Sequence, residues 1–595
     1  AFGEAVWWSV FAVFLLLRWF QPELWHPWSG GEKPMDFAFL NATVQSRYFP
    51  PVQPWLSGAF LNYYYYGFVL VAVLIRLTGI SPDFAYNLAL PTFAAFTAGA
   101  LLSLAATLTV LFRVRPGCRG RKRSALLAVL FTLGLGNLAQ LRWFLFERGG
   151  HLRDAYWNAS RALRVPEGAT EPITEFPFFS FLYGDLHAHL LALPVAMLTL
   201  IASWQLLRRF HPLRLLTAAL LLGGLRLINA WDFPVQAAVL LFALFFPVLR
   251  AATPAERLRA LRAALGWSLL ALLLSTLLYA PFHHHTLSYP ARFLLWNGPR
   301  SRPVDLLLHH GIFLMPVLLC APALLCDPRL RAAPSLYRLF PLLLLLGCIL
   351  LILLLEFFTL DGDIGRMNTV FKFYYQIWWI LAVLCALVVR ATLQTLRHPF
   401  AAGLSIVLLS LGLAYPLTAI PAKLRDRPWH QAPNGLDGLA YLRTAVWDTP
   451  EGRPVPLHDD LRVIRWLREN AAPLDILLEA HRPEYQWGGR ISWHTGQPAL
   501  LGWNWHMRQQ RPRPGADTLV WQRAADVARL YTTPDESERA RLLSLHRIRY
   551  VICGELERLT YGEATQELLE SSPRLRPVFR YGGAVIFEHR DPEVR

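Results

Sequence analysis

Lysine is almost missing from this 595-residue chain: of its 58 basic residues only Lys33, Lys122, Lys372 and Lys423 are lysine. The rest are arginine, a skew read as compositional bias. Cysteine is scarce too. Cys118 lies in a basic loop, and Cys320, Cys326, Cys348 and Cys385 lie in or near apolar runs. Only Cys553 falls beyond residue 420, so no internal disulfide can staple that region. Charged residues make up 17% of the chain against 54% hydrophobic ones. The net charge of +17 would suit nucleic acid. The basic residues sit in short loops between apolar runs, however, which is the pattern of membrane topology, so no nucleic-acid partner is expected. Ala1 leads almost directly into apolar residues, with no basic stretch and small-residue cleavage site after it. No signal peptide is expected in this sequence, and a segment upstream is left open.

What the chain does have is long apolar runs, near 5–20, 59–79, 84–112, 125–146, 186–206, 213–228, 233–249, 264–281, 306–325, 339–358, 369–389 and 399–419. Runs of this length place it among polytopic membrane proteins. The connectors "RVRPGCRGRKR", "RRFHPLR", "RAATPAERLRALR", "DPRLRAAPSLYR" and "RATLQTLRH" are short and arginine-rich, so the positive-inside rule makes them cytoplasmic. The runs from 84 onward then alternate without conflict, and a full crossing at 59–79 would break the alternation. This run, "AFLNYYYYGFVLVAVLIRLTGI" with its flanks, is therefore expected to lie in the outer leaflet within a long outer loop at 21–83, its tyrosines at headgroup level. The alternative is that it crosses and another run does not. About 11 spans remain, followed by an outer tail at 421–595, long enough for a domain. In that tail "DLRVIRWLRENA" reads as a helix, "DILLEA" and "RYVICG" as buried strands, and "PVFRYGGAVIFEH" as a hairpin turning on Gly582 and Gly583. The fold class expected is an α-helical polytopic membrane protein, domain 1–420, with a C-terminal extracytoplasmic α/β domain, 421–595.

Ionisable residues collect at the outer ends of the runs. Asp36 stands in "GEKPMDFAFLNATVQSRYFPPVQPW", where a solvated loop acid or a helix cap is the plain alternative. Asp185, His187 and His189 alternate in "FPFFSFLYGDLHAHLLALP". Oxygen and imidazole donors so spaced can share a divalent metal, and capping by Asp185 with interfacial histidines is the alternative. His283, His284 and His285 read as interfacial. Arg226 and Asp232 flank "LRLINAWDFP". Glu356, Asp361, Asp363, Arg366, Asn368 and Lys372 fall in "LLLEFFTLDGDIGRMNTVFKFYYQ". Charges at such depth face a partner or a polar cavity: Arg226 and Glu356 can pair, and Arg366 with Lys372 can hold a lipid phosphate or tie helices together.

The pieces "EKPMDFAFLNA", "YFPPVQPWLSG", "LNYYYYGFVLVAVL", "FPFFSFLYGDLHAHLLALP", "NAWDFP", "GRMNTVFKFYYQIW", "GGRISWHTGQPALLGWNWHMRQQR" and "YVICGELERLTYG" resemble the uncharacterised "YYY" family of prokaryotic membrane proteins, over nearly the whole chain. The first loop, with an acid soon after the first span and a juxtamembrane helix, looks like the C-type (GT-C) glycosyltransferases, which use polyprenyl-phosphate sugars. That resemblance implies a catalytic base or metal ligand at Asp36. It implies a metal motif at Asp185 and His187, where His replaces an expected acid, with magnesium or manganese as the ion. It further implies donor-phosphate binding by Arg366, Lys372, Arg226 and Asn368. Acceptor or sugar contacts fall to Trp503, Trp505, His506, Arg490 and Tyr64, since aromatic rings stack on sugars. A packed loop at Gly488–Arg511 is the alternative.

The function expected is an outward-facing glycosyltransferase of the cell membrane, with membrane lipid, a polyprenyl-phosphate sugar donor and an unidentified acceptor as partners. Rival readings are a transporter or flippase of a lipid-linked sugar, for which the chain shows no convincing internal repeat, and a non-catalytic scaffold.

Overall fold

The computed structural model describes residues 1–109, 118–146, 151–287, 292–325, 339–395, 398–511 and 514–590. The basic connector 327–338 with Cys326, most of 113–119 including the Cys118 side chain, and residues 396–397 lie outside them.

Among the described residues eight helices are long and apolar enough to cross a membrane. A ninth crossing is made if Gly120–Gly134 and Ala139–Phe146, bent by 49° to one another, act as one broken span. The sequence reading of about 11 counts two further runs, which form shorter helices among the described residues: Pro212–Ile228, with 17 residues, and Leu339–Leu354, which starts where the described residues resume. At about 1.5 Å per residue Pro212–Ile228 reaches roughly 25 Å, short of a hydrocarbon core of about 30 Å.

Tyr66–Thr78 is shorter again, 13 residues or about 20 Å, so it cannot span upright. Gly79, in the left-handed region at φ +69°, closes it. One face, Phe68, Val71, Ala72 and Ile75, is buried, while Val73, Leu74 and Leu77 are exposed. Gly67 lets it approach the helix Ala188–Arg208, because a Cβ there would lie 2.7 Å from Leu191. The four tyrosines turn into protein rather than outward. Tyr63 meets His187, Tyr65 packs on Phe282 and Tyr66 on Tyr279.

Met367–Thr395 is buried along nearly its whole length and runs through the centre of the bundle, whereas Phe2–Phe20 lies at the edge with most of its surface exposed. Pro303–Leu325 packs on the central helix, and Pro82–Leu108 lies between Phe2–Phe20 and Ala188–Arg208. Prolines inside these helices, such as Pro91 and Pro194, are tolerated because neighbouring helices re-satisfy the freed carbonyls.

The C-terminal region follows the sequence pattern closely. The helix His458–Asn470 covers a four-stranded sheet in the order Ile476–Leu478, Ile548–Cys553, Ala584–His589, Leu575–Tyr581. The first pair is parallel and the others antiparallel. Tyr581 pairs with Ala584, so Gly582 and Gly583 form the two-residue turn, with Gly582 at φ +53°. This region is tied to the first loop. Arg468 grips Asp83 through two 2.7 Å hydrogen bonds, Asn41 donates to the Trp493 carbonyl at 2.9 Å, and Gly502 donates to the Trp55 carbonyl at 2.9 Å.

Candidate functional site

Two glycines and a proline shape the first loop. Gly30 and Gly31 take φ of +63° and +101°, and a Cβ on Gly31 would sit 3.0 Å from the Tyr183 hydroxyl and 3.3 Å from Asp185 Oδ2. The chain can therefore turn tightly over the "YGD" segment. It then enters the helix Lys33–Gln45, with Pro34 in its first turn. Residues Lys33 to Thr43 of this helix are all buried. The bundle covers one side and the C-terminal region the other, which removes the usual polar face.

Asp36, in the first turn, is fully buried. Its Oδ1 lies 3.2 Å from His187 Nδ1, while its Oδ2 has no hydrogen-bond partner among the described residues. Glu32 Oε2 lies 3.1 Å from the same His187 nitrogen, and the Tyr63 hydroxyl lies 2.9 Å from His187 Nε2. Asp185 comes from the other loop: its Oδ2 accepts the Glu32 backbone N–H at 2.8 Å, and its Oδ1 has no hydrogen-bond partner among the described residues. His506, from the C-terminal region, reaches Glu32 Oε1 at 3.4 Å. So Asp36, Asp185, His187 and His506 are brought together, with Glu32 and Tyr63 as members that sequence reasoning did not single out.

Burial pushes the Asp36 carboxyl above its usual range, against the pull of His187. Burial likewise raises Asp185, to about 6, although Lys33 draws it down. For His187 burial alone would lower the value, but the Asp36 and Glu32 carboxylates outweigh it and hold the imidazole up. Burial would raise Glu32 as well, yet His187 and His506 bring it down to about 2. The arrangement is an imidazole between two carboxylates, one of which, Asp36, keeps an oxygen free.

A second polar group lies beside it, the His187 and His189 rings being 5.2 Å apart. Lys372 Nζ is 3.2 Å from His189 Nδ1. His189 Nε2 lies 3.3 Å from Ser180 Oγ and 3.7 Å from Glu175 Oε2. An ammonium only donates, so Nδ1 accepts and Nε2 carries the proton toward Ser180 and Glu175.

The other expected residues are engaged elsewhere. Arg366 is 1% exposed. It pairs with Glu356 at 2.9 Å and donates to the Leu355 carbonyl and Ser301 Oγ, each at 2.7 Å, and none of these partners is a partner of Lys372. Glu356 thus pairs with Arg366 and not with Arg226, whose guanidinium lies over Phe233 at 5.7 Å. Asn368 donates to Asp363. Tyr64 meets Trp231. Arg490 has no exposed surface and is held by Asp460 and Glu557 through four hydrogen bonds of 2.7–3.0 Å, so its guanidinium has no face left for a sugar. Trp503 is buried against Trp55, ring centroids 4.7 Å apart, while Trp505 is 42% exposed. Gly488–Arg511 is therefore mainly a packed cover on the first loop, with Trp505 as its exposed aromatic.

The expected metal ligands can be weighed on the same geometry. Two buried carboxylate oxygens without partners, Asp36 Oδ2 and Asp185 Oδ1, are suitable donors for a hard cation. His187 Nδ1, however, faces the two carboxylates at hydrogen-bond distance. Among the described residues no three His, Cys, Asp or Glu side chains are grouped to hold a metal ion. The side chains as placed do not make a coordination sphere.

Among solved structures the chain is similar to the Archaeoglobus fulgidus oligosaccharyltransferase. One of these structures is tethered with an acceptor peptide containing the NVT sequon (13% identity, 98% of this chain and 74% of that one, TM-score 0.36). A second is a complex with Zn and sulfate (13%, 98% and 73%, TM-score 0.40). A third, of the archaeal oligosaccharyltransferase AglB, holds an inhibitory peptide and a dolichol-phosphate (13%, 99% and 75%, TM-score 0.36). No curated protein matches the chain. A family match covers residues 1–337 and 316–381, most of the described bundle and both loops of the site, and the chain belongs to that family, described as "Uncharacterized membrane protein (DUF2298)".

Proposed function

We propose that the chain is a C-type membrane glycosyltransferase that moves a sugar from a polyprenyl-phosphate donor to an acceptor hydroxyl. The observation that carries this reading is the asymmetry of Asp36: Oδ1 is fixed by His187 and Oδ2 is buried and free. A carboxylate held by one oxygen, with the other unengaged and its affinity for a proton raised by burial, is suited to act as a general base. In the reaction the acceptor oxygen bonds to the anomeric carbon as that carbon's bond to the donor phosphate oxygen breaks. The acceptor proton passes to Asp36 Oδ2, and the phosphate leaves with the bonding electron pair on the face opposite the attack, inverting the centre. Lys372, which reaches His189 beside His187, is the cation that in this reading stabilises that charge. Arg366, already neutralised by Glu356, is left out of the site. No step runs through a metal.

In this reading residues 1–420 form the membrane domain, residues 421–595 an outer domain, and the site faces the outer surface. Asp36 is covered, and in this reading the Gly488–Arg511 segment, which touches Glu32 and Met35 through His506 and Gln510, moves aside to admit the hydroxyl. The test supplies a radiolabelled polyprenyl-phosphate sugar to membranes that contain the full chain and its native acceptors. Asp36→Asn should lower transfer by about 10²–10⁴-fold with donor binding kept. Transfer that is absent from the parent, or equal in Asp36→Asn, would refute the reading.

A further inference from the structure

Three of the chain's four lysines are buried, and among the described residues two of them have no direct hydrogen-bond or ion-pair partner. Lys33 is 9% exposed and Lys423 3%. Among the described residues neither ammonium meets a carboxylate or a hydrogen-bond acceptor. What they share is an aromatic ring: Lys33 Nζ lies 5.5 Å and Lys423 Nζ 5.1 Å from the centroid of Tyr183, and Lys423 also lies 4.7 Å from that of Tyr156. Arg18, 2% exposed, is the third cation. It spends Nε and Nη2 on Asn87 Oδ1, at 2.9 and 2.8 Å, and presents Nη1 to Gly184, where a Cβ would lie 2.5 Å away. Gly184 has φ +83°, so the glycine of "YGD" both turns the chain and makes room for the guanidinium.

The acids nearby act on these cations only at a distance, and each has closer partners. Glu23 is paired with Arg427. Asp426 accepts from the Tyr156 hydroxyl at 2.5 Å and Ser29 Oγ at 3.1 Å, and lies 3.5 Å from His26. Asp185 is bonded through Oδ2 to the Glu32 backbone and leaves Oδ1 free. A ring face gives an ammonium only part of what water gave it, and a buried ammonium without acceptors is strongly disfavoured. Six ammonium N–H donors and one guanidinium edge, from three separate parts of the chain, thus converge without acceptor oxygens.

We propose that Lys33, Lys423 and Arg18 form a binding site for an oxyanion of the phosphate class. A tetrahedral oxyanion supplies several acceptor oxygens at once and matches donors that approach from three directions. A protonated phosphate oxygen would also give Asp185 Oδ1 its missing donor. The site is separate from the Arg366 and Lys372 pair expected from the sequence, and it stands whether or not the chain transfers sugars.

The test uses the full chain in nanodiscs of zwitterionic lipid and reads thermal unfolding. One arm adds inorganic phosphate, and the other replaces part of the lipid with polyprenyl phosphate. The parent should be stabilised in at least one arm: phosphate alone identifies a free oxyanion as the ligand, polyprenyl phosphate alone a lipid headgroup. Lys33→Gln/Lys423→Gln should bind at least tenfold more weakly and, without ligand, unfold no lower than the parent, because it relieves two buried charges. Should that variant fail to fold, Lys423→Met alone should show the same loss in smaller degree, while Lys423→Arg keeps the binding within a few-fold. No stabilisation of the parent in either arm, or equal stabilisation of parent and variants, would overturn the proposal and leave water as the partner of these lysines.

Discussion

Replacing Arg490 with methionine should unfold the C-terminal region rather than blunt ligand binding. Arg490 is fully buried, with Asp460 on one side, Glu557 on the other and Glu479 at 3.8 Å. One cation therefore serves three buried carboxyl groups. Burial pushes Glu479 up to about 7, despite the pull of Arg490. Burial acts on Glu557 as well, but Arg490 and its hydrogen bonds outweigh it and hold that carboxyl low. Breaking a buried ion pair by removing one partner costs about 3–5 kcal/mol, because the other charge is left uncompensated. The fraction of molecules open to protease should then rise roughly a hundred- to a few-thousand-fold. The loss should depend on pH. Glu479 binds its proton more tightly folded than unfolded, so folding becomes less favourable as pH rises from about 4.5 through about 7. Without Arg490 all three acids need protons to stay buried. Arg490→Met should therefore be much less stable at pH 8 than at pH 5.5, with the parent changing less. Native-state proteolysis at the two pH values reads this directly. If Arg490→Met resists protease like the parent at both pH values and loses only binding of a sugar, the guanidinium is a ligand contact and the ion-pair account is wrong.

Arg366→Lys should behave as a stability variant too. An ammonium cannot serve Glu356, the Leu355 carbonyl and Ser301 together, so a loss of about 1–3 kcal/mol is expected, smaller than the 3–5 kcal/mol of deleting a partner. A variant that unfolds like the parent but no longer binds lipid phosphate would return Arg366 to the donor site. On topology, the first loop and the C-terminal region touch through Asn41, Trp55 and Glu32. Single cysteines at the exposed positions Trp28 and Glu451 should react with a membrane-impermeant reagent from the same side, and labelling from opposite sides would contradict the packing.

The elements that could be read from sequence were those set by local pattern. Alternation and turn chemistry marked the hairpin at Gly582 and Gly583, and apolar spacing marked the helix at His458–Asn470. The short helix Tyr66–Thr78 followed from loop charge, since a crossing there broke the alternation of basic connectors, and its length gives the same answer independently. Less legible was the number of crossings, because hydropathy alone does not show where a run bends, as at Gly134 to Ala139, or stops short, as at Ile228. The direction of side chains was hidden as well. A row of four tyrosines beside an apolar run fits a headgroup belt equally well by composition. Only the fold shows that Tyr63 turns toward His187.

The site divides in the same way. Asp36, Asp185 and His187 stood out as polar residues at the ends of apolar runs, and the fold joins them. Glu32 was hidden because a loop acid has no spacing signal; its role comes from a backbone N–H that meets Asp185 and a side chain that meets His187 and His506. The lysines carried a signal that composition obscured. In a chain that writes nearly every cation as arginine, compositional bias accounts for the scarcity of lysine but not for its placement. Lys33, Lys372 and Lys423 are buried at the same end of the bundle, and Lys122 alone is exposed. An ammonium is a compact point charge with three rotatable donors and a short reach around its tip. A guanidinium is broad and flat, with its donors in a fixed fork. Arg366 and Arg490 use that flat geometry against fixed carboxylates. The lysines sit where the partner is a ring or an imidazole, a setting in which a compact donor that can re-aim around an incoming oxyanion has room to work.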